Sequence, residues 1–293
     1  MQKITPHLWF DTEAKDAAEF YVSVFENSRV KSVNTISGTP SGDVDMVSLE
    51  LCGQDFSFIS AGPMFAFNPS VSFLVACATK DEAAALWAKL SEGGKALMEF
   101  GSYPFSEAYG WTADRFGVSW QVMFVGERPI TQKITPTLMF VGDIVGKAEE
   151  AMRFYTSVFS GAVGEVMRYG SDQAAETEGN IAHASFTLKG RQFAIQESAG
   201  PHEFSFNEAV SLIVRCESQE EIDFFWKKLT AHPDSEQCGW LKDKYGFSWQ
   251  IVPTAMDEMM ASGDQEKIGR VTQAFLKMKK FNIAELKKAF AGL

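Results

Sequence analysis

The chain has 293 residues, of which 45% are hydrophobic and 13% aromatic, enough apolar mass to fill the cores of two ordinary domains. The formal net charge of −11 argues against nucleic-acid binding, and no apolar run approaches the roughly 20 residues of a membrane helix. The cysteines (Cys52, Cys77, Cys216 and Cys238) form no CxxC pair and the first residues show no signal-peptide pattern, which together predict a reduced, cytoplasmic protein.

The first part of the chain predicts a strand, a helix and three more strands. KITPHLWF at 3–10 alternates apolar and polar residues, as a half-buried strand does. The helix that follows carries apolar residues at helical spacing from Ala14 to Phe25, and Asp11 or Thr12 is its expected N-cap. RVKSVNTI, VDMVSLEL and QDFSFIS then indicate three strands separated by turns that contain glycine.

The same order restarts with VSFLVAC at 71–77, which indicates another strand. Thr79 and Glu82 form a capping box that opens the next helix. Short strands follow, and the last two turn through the D-x-x-G sequence of Asp114 to Gly117.

The second half of the chain repeats the first. Blocks recur in the same order at a near-constant offset: KITPHLWF (3–10) as KITPTLMF (133–140), EFYVSVF (19–25) as RFYTSVF (153–159), AGPMFAFNPSVSF (61–73) as AGPHEFSFNEAVSL (199–212), and GWTADRFGVSWQV (110–122) as GWLKDKYGFSWQI (239–251). Ordered recurrence of this kind indicates a duplicated domain. We therefore predict an α+β protein with modules at 1–128 and 129–253 and a C-terminal helical extension at 254–293. The extension should pack on the sheets or on a partner chain.

Three segments carry a family resemblance: WFDTEAKDAAEFYVSVF, GPHEFSFNEAVSLIVRCESQEEIDFFWKKL and CGWLKDKYGFSWQIVPT. With the doubled βαβββ order, they resemble the vicinal oxygen chelate superfamily of glyoxalases, bleomycin-resistance proteins and dioxygenases. Within it, the chain is similar to the PhnB-like group, often labelled 3-demethylubiquinone-9 3-methyltransferase-like domains. The resemblance implies tandem glyoxalase-like modules, each built from paired βαβββ units curled around a cavity. We expect each half to close around its own cavity.

The resemblance also implies where a metal would bind. In metal-dependent members, His or Glu side chains from the first, fifth and eighth strands hold a divalent ion such as zinc, nickel, manganese or iron. The matching positions here are His7 and Thr137, Ser72 and Ser211, and Gln121 and Gln250, with Glu50 as a middle-strand ligand. The candidate metal set is His7, Glu50 and Gln121. Because glutamine is a weak ligand and serine a weaker one, neither half offers a convincing metal cage.

Further residues are candidates for lining a cavity, each with a structural alternative. Trp9, Trp111 and Trp240 fit either pocket walls or core packing, and His183 fits either a cavity or a satisfied structural histidine. Glu197 ends a strand, and because an unpaired buried carboxylate is costly it lies at the rim, is paired, or is functional.

Three functions remain open from the sequence. The leading hypothesis is a cytosolic small-molecule-binding protein with degenerate metal sites, and the second is a metal-dependent lyase, isomerase or dioxygenase. The third is an interaction protein whose cavities have closed. The methyltransferase label fits poorly, because the glycine run from Gly161 to Gly164 leaves a helix and enters a strand, the reverse of a nucleotide-binding turn. The expected partner is a small molecule, and the sequence leaves a homodimer open.

Overall fold

The computed structural model describes residues 2–173 and 175–293 and contains the predicted strands and helices except one strand of the second half. The first half holds β1 (Ile4–Phe10), β2 (Arg29–Thr39), β3 (Gly42–Leu51), β4 (Gln54–Ser60), β5 (Val71–Cys77), β6 (Lys95–Tyr103), β7 (Ser106–Ala113) and β8 (Ser119–Phe124). The second half holds β9 (Ile134–Phe140), β10 (Ala162–Arg168), β11 (Ile181–Leu188), β12 (Arg191–Glu197), β13 (Val210–Cys216), β14 (Trp240–Lys242) and β15 (Ser248–Pro253). The helices are α1 (Ala14–Val24), α2 (Lys80–Ser91), α3 (Ala148–Phe159), α4 (Gln219–Leu229), α5 (Thr254–Met260), α6 (Gln265–Phe275) and α7 (Ile283–Ala291).

The strands form two mixed sheets, and each sheet takes strands from both halves of the sequence. One sheet has the order β14-β15-β13-β1-β4-β3-β2, and the other has the order β10-β11-β12-β9-β5-β8-β7-β6. The chain accordingly divides into unit 1, with residues 1–22, 28–65 and 207–293, and unit 2, with residues 23–27 and 66–206.

The α+β class, the pairing of βαβββ units and the helical tail are confirmed, but the partner of each unit differs from our expectation. The first βαβββ unit pairs through β1 with β13 of the fourth, and the second pairs through β5 with β9 of the third. Each half therefore does not close on itself. Because the repeats are alike, the strand edge of either copy accepts the same partner, and identical elements can be exchanged at little cost.

The final strand of each half places its tryptophan on one face and its glutamine on the other. Trp120 and Trp249 are almost fully buried. Their indole N–H groups donate to Asp114 Oδ2 at 2.9 Å and to Asp243 Oδ2 at 2.8 Å. The Oδ1 atom of each aspartate accepts backbone amides of the turn that follows it. The D-x-x-G turns thus fix the tryptophans, and alternation along the strand directs the glutamines to the opposite face.

The fourth βαβββ unit is shorter than the other three. The second βαβββ unit has strand β6 after its helix, whereas the fourth has only a 3-10 turn at Pro233–Ser235. The segment between α4 and Trp240 is too short to form a hairpin. The tail covers this edge: Cys238 N–H donates to Met278 O at 2.8 Å, and Gly239 N–H donates to Lys279 O at 2.7 Å. The prediction that the second half repeats every strand is therefore wrong at this point.

The helix caps follow the sequence in most places. Thr79 accepts the Glu82 amide, Ser218 accepts the Glu221 amide, and Asn282 caps α7. Helix α1 differs from the prediction of Asp11 or Thr12, because Ser60 Oγ at the end of β4 accepts the Ala14 amide at 3.0 Å. Within the described residues, none of the helices is long and apolar enough to cross a membrane.

Candidate functional site

We call the face of each sheet that carries Gln250 or Gln121 its inner face; it lies opposite the tryptophans of the final strands. On the inner face of unit 1, three side chains from neighbouring strands form a polar row. Gln250 Nε2 on β15 donates to Ser211 Oγ on β13 at 3.0 Å, and Ser211 Oγ lies 3.4 Å from His7 Nδ1 on β1. His7, Ser211 and Gln250 occupy the first-, fifth- and eighth-strand positions at which the family resemblance implied metal ligands.

A cluster of aromatic rings lies at the His7 end of the polar row. The Trp240 ring meets the His7 ring edge to face at 5.4 Å between centroids, and Trp9 lies 6.2 Å from Trp240. Phe65 packs edge to face against Trp9 at 5.1 Å. The indole N–H of Trp9 donates to Gly62 O at 2.8 Å, which fixes the orientation of that ring. The inner face of unit 1 therefore combines a neutral polar row with aromatic walls.

His7 is held neutral. Only 2% of its surface is exposed. Burial, and to a smaller extent the positive charge of Arg215, lowers the pKa of His7 to about 3. Because Ser211 Oγ already accepts from Gln250, its own proton is available to the unprotonated His7 Nδ1.

The residues present do not fit a tight divalent metal site. His7 and Glu50 belong to unit 1 whereas Gln121 belongs to unit 2, so the candidate set of His7, Glu50 and Gln121 does not share a sheet. Glu50 is engaged in an ion pair with Arg29 at 2.9 Å. The residues beside His7 are Ser211 and Gln250, a hydroxyl and an amide, which are weak ligands. Among the described residues, no cluster of three His, Cys, Asp or Glu side chains could hold a metal ion.

The matching row in unit 2 is closed by its own hydrogen bonds. Gln121 Nε2 donates to Ser72 Oγ at 2.7 Å, and Gln121 Oε1 accepts from Tyr109 Oη at 2.8 Å. Thr137 stands opposite Ser72 in the register, where His7 stands opposite Ser211 in unit 1. Both polar ends of the Gln121 amide are thus satisfied within the protein.

The glutamine of unit 1 lacks this second partner. The repeat aligns Tyr109 with Cys238, whose thiol replaces the phenol. No donor within the described part of the chain reaches Gln250 Oε1. Unit 1 therefore presents a carbonyl oxygen that unit 2 uses internally.

The two tryptophans beside these glutamines also differ. Trp111 and Trp240 pair in register with Gln121 and Gln250. Trp111 Nε1 donates to Ser119 Oγ at 2.7 Å. The corresponding hydroxyl in unit 1, Ser248 Oγ, is buried and has no hydrogen-bond partner among the described residues. Trp240 therefore contacts His7 and does not donate to this serine.

Helix α5 of the tail covers part of the inner face of unit 1. Arg215, four residues after Ser211 and on the same face of β13, donates to Asp257 Oδ1 at 2.7 Å. Burial raises the pKa of Asp257, although the adjacent Arg215 opposes that shift. Met260 packs with a small apolar cluster that includes Trp9 and Ile36. The tail is therefore part of the wall of the site, which its helical pattern alone did not reveal.

The remaining sequence candidates, Glu197 and His183, lie in unit 2. Glu197 accepts the Ala148 amide at 3.1 Å and the Ile181 amide at 2.7 Å, so this buried carboxylate caps α3 much as Ser60 caps α1. His183 lies on β11 opposite Met167. Burial lowers the pKa of His183, an effect that Glu165 opposes and Arg128 reinforces.

Sequence reasoning did not identify Tyr109, Ser248 and Phe65 as residues of these two inner faces. The repeat itself contained a signal for two of them. Tyr109 differs from its counterpart Cys238, and Ser248 lies eight positions after Trp240, as Ser119 lies eight positions after Trp111.

Comparison with known proteins places both halves in one family. A family model described as 3-demethylubiquinone-9 3-methyltransferase matches residues 2–123 and again residues 132–252. No curated protein matches the chain.

Solved structures similar to this chain cover less than half of it. The PhnB protein from Bacillus cereus is 36% identical, with 42% of this chain and 100% of that chain covered and a TM-score of 0.40. A glyoxalase/bleomycin resistance protein/dioxygenase superfamily member from Vibrio splendidus is 11% identical, with coverage of 44% and 97% and a TM-score of 0.28. A lactoylglutathione lyase from Agrobacterium tumefaciens is 17% identical, with coverage of 41% and 90% and a TM-score of 0.26.

Proposed function

Since the chain belongs to the 3-demethylubiquinone-9 3-methyltransferase family, in two tandem copies with a glyoxalase-like fold, we propose that it is a cytosolic small-molecule-binding protein. The binding site is the inner face of unit 1, and it works without a tightly bound metal. The observation that carries the proposal is the neutral row of Gln250, Ser211 and His7 between aromatic walls. Ligand sites in proteins combine apolar and aromatic side chains with a few placed polar groups, which is the composition of this face.

The chemistry of the row selects an uncharged ligand. His7 is neutral at physiological pH, and the nearby cationic groups Arg215 and Lys242 are paired with Asp257 and Glu208. A charged ligand buried here would lose hydration without gaining a counter-charge, which costs several kcal/mol. A planar aromatic molecule with a hydrogen-bond donor fits best, because it can stack on Trp9 or Trp240 and donate to Gln250 Oε1.

Methyl transfer is not supported by the fold. The sheets are not the parallel, doubly wound sheets in which a glycine turn leads from strand to helix to hold a nucleotide-like cofactor. In our proposal the family name therefore identifies the fold of these domains and does not describe a reaction that they catalyse.

A titration of the purified full chain with phenols and aromatic amides, and with the matching carboxylates, tests the proposal. Intrinsic tryptophan fluorescence reports binding, because Trp9 and Trp240 line the site. We expect the neutral compounds to bind and the carboxylates to bind at least tenfold more weakly. Gln250→Ala should weaken the neutral compounds about tenfold, the value of one good hydrogen bond, whereas Gln121→Ala should leave affinity unchanged.

Elemental analysis of the same samples provides the metal test. We expect zinc, nickel, manganese and iron below one tenth of an equivalent, and no change in ligand affinity after treatment with a chelator. A stoichiometric ion that is lost in His7→Ala would favour the metal-dependent lyase, isomerase or dioxygenase instead. Failure of every neutral aromatic compound to bind, or equal loss in Gln250→Ala and Gln121→Ala, would contradict the proposed site.

A further inference from the structure

The unpartnered hydroxyl of Ser248 is the least explained polar group on the inner face of unit 1. Ser248 is fully buried, and its Oγ atom has no hydrogen-bond partner within the described residues. A buried hydroxyl without a partner is destabilising, and such groups are rare in native proteins. Its presence therefore requires an explanation, and unit 2 supplies one.

In unit 2 the same hydroxyl is bonded by a tryptophan. Trp111 Nε1 donates to Ser119 Oγ at 2.7 Å. The backbone relation is identical in unit 1, because Trp240 pairs with Gln250 as Trp111 pairs with Gln121, and Lys242 pairs with Ser248 as Ala113 pairs with Ser119. The strand register therefore places Trp240 relative to Ser248 as it places Trp111 relative to Ser119.

Trp240 instead packs over His7. Its ring lies edge to face with the His7 ring at 5.4 Å and close to Trp9. Unit 2 offers no such contact, because Thr137 occupies the position of His7. Trp240 therefore has two candidate partners: the His7 ring, which it contacts, and the Ser248 hydroxyl, which has no hydrogen-bond partner among the described residues.

We propose that Trp240 is a gate over the polar row of unit 1. In the closed orientation, seen here, the ring covers His7 and leaves Ser248 unbonded. In the open orientation the indole N–H donates to Ser248 Oγ, as Trp111 donates to Ser119, and the ring uncovers His7 and Ser211. The role of the gate in binding rests on the proposed function, whereas the two orientations of the ring do not.

The indole nitrogens can be followed by NMR in deuterated full-length protein labelled with ¹⁵N-indole tryptophan and free of added ligand. Trp240→Phe and Trp111→Phe assign the two signals. We expect relaxation dispersion on the microsecond-to-millisecond scale at Trp240 Nε1, from exchange between the unbonded and bonded orientations, and a flat profile at Trp111. Ser248→Ala should abolish the dispersion at Trp240, because it removes the acceptor of the open orientation.

Ser119→Ala is the matched control. It should accelerate hydrogen exchange of the Trp111 indole N–H, whose acceptor it removes, and leave the dispersion at Trp240 unchanged. A flat Trp240 profile in the wild-type chain, as expected if a fixed water satisfies Ser248, would overturn the gate. Dispersion that persists in Ser248→Ala would overturn it as well.

Binding of the neutral aromatic compounds separates the gate from the proposed function. If the gate controls access, Ser248→Ala should weaken these compounds severalfold while Ser119→Ala has no effect. Dispersion that depends on Ser248, together with no binding of any compound, would support the gate and contradict the proposed function. Binding with a static Trp240 would do the reverse.

Discussion

Units 1 and 2 share one arrangement of strands and differ in what stands on their inner faces. Each carries a glutamine bonded to a serine on the neighbouring strand, at 3.0 Å in unit 1 and 2.7 Å in unit 2. In unit 2 the glutamine is also bonded by Tyr109, and its tryptophan is bonded by a serine. The comparison teaches that the shared row is a structural feature of the repeat, and that function must be sought where one copy leaves the row incomplete.

Unit 1 is the incomplete copy at three positions. His7 replaces a threonine, Cys238 replaces the tyrosine that closes Gln121, and Trp240 leaves Ser248 unbonded. Unit 1 also depends on the tail, which covers its sheet edge where the fourth βαβββ unit lacks a strand. Buried polar groups without partners reduce stability, so the incomplete copy must be stabilised by other contacts, and the tail supplies several of them.

Removing the tail's anchor should give the largest effect. Phe281 is 2% exposed, and one of its ring atoms would lie only 2.5 Å from a Cβ built on Gly239, whose φ of +83° favours glycine. Phe281→Ala should lower the free energy of unfolding by about 3–5 kcal/mol, as for other large-to-small core substitutions. Urea unfolding followed by circular dichroism measures the loss.

Hydrogen exchange shows where the loss falls. We expect the amides of β14 and β15 to lose protection most, because the tail segment at Met278 and Lys279 accepts from the edge of this sheet. Phe105→Ala, at a half-exposed phenylalanine of unit 2, should cost less than about 1 kcal/mol. Equal loss of protection in β5 and β8 would show that the tail does not act locally on unit 1.

A fall in pH should destabilise the fold through His7, by a smaller amount than the loss of Phe281. The pKa of His7 is about 3 in the folded protein, against an ordinary value of 6.5, because burial disfavours the imidazolium. Between these values the unfolded chain binds the proton and the folded chain does not. Stability from this group is therefore complete above about pH 6.5 and falls as the pH decreases, by about 2 kcal/mol at pH 5.

Comparison with His7→Gln isolates the contribution of this histidine. The wild-type chain should lose about 2 kcal/mol more than His7→Gln between pH 7.5 and pH 5, measured by urea unfolding at each pH. His183, whose pKa is also lowered by burial, and Asp257, whose pKa is raised by burial, are present in both proteins and cancel. A difference that stays constant across this range would mean that His7 is not held neutral by burial.

The features that sequence predicted are those fixed by a few neighbouring residues. The capping boxes at Thr79 and Ser218 and the D-x-x-G turns formed as expected, because each is closed by hydrogen bonds within six residues. The βαβββ order was equally local. The positions of Gln121 and Gln250 opposite the tryptophans follow from strand alternation alone.

The features that the sequence did not predict depend on contacts between residues far apart in the chain. Several similar strands or side chains could make the same contact, and the sequence does not show which one does. The repeat identifies four βαβββ units but cannot decide which pair with which, because the edges of β5 and β13 resemble each other. The orientation of Trp240 depends in the same way on His7, more than 200 residues away. The tail's role had one visible signal, the shortened stretch between α4 and Trp240, whose missing strand had to be replaced by some other segment.

The smallest expected effect tests the equivalence of the two units where they remain alike. Lys3 bonds Glu221 at 2.7 Å in unit 1, and Lys133 bonds Glu82 in unit 2; each pair joins the start of a first strand to the capping-box glutamate of a helix. The side chains are similarly exposed, 21% and 39% in one pair and 23% and 40% in the other. Partly exposed ion pairs contribute little, so Lys3→Met and Lys133→Met should each cost about 0.5–1 kcal/mol.

The cost of Lys133→Met should be at the upper end, because Lys133 Nζ also donates to Ala76 O at 2.5 Å. Lys3 has a weaker additional contact, with the Phe225 ring at 5.7 Å. Both losses should shrink in 1 M salt, since screening weakens surface pairs. Urea unfolding at low and high salt measures them, and a difference between the two variants above about 1 kcal/mol would show that the units have diverged in their scaffold as well as on their inner faces.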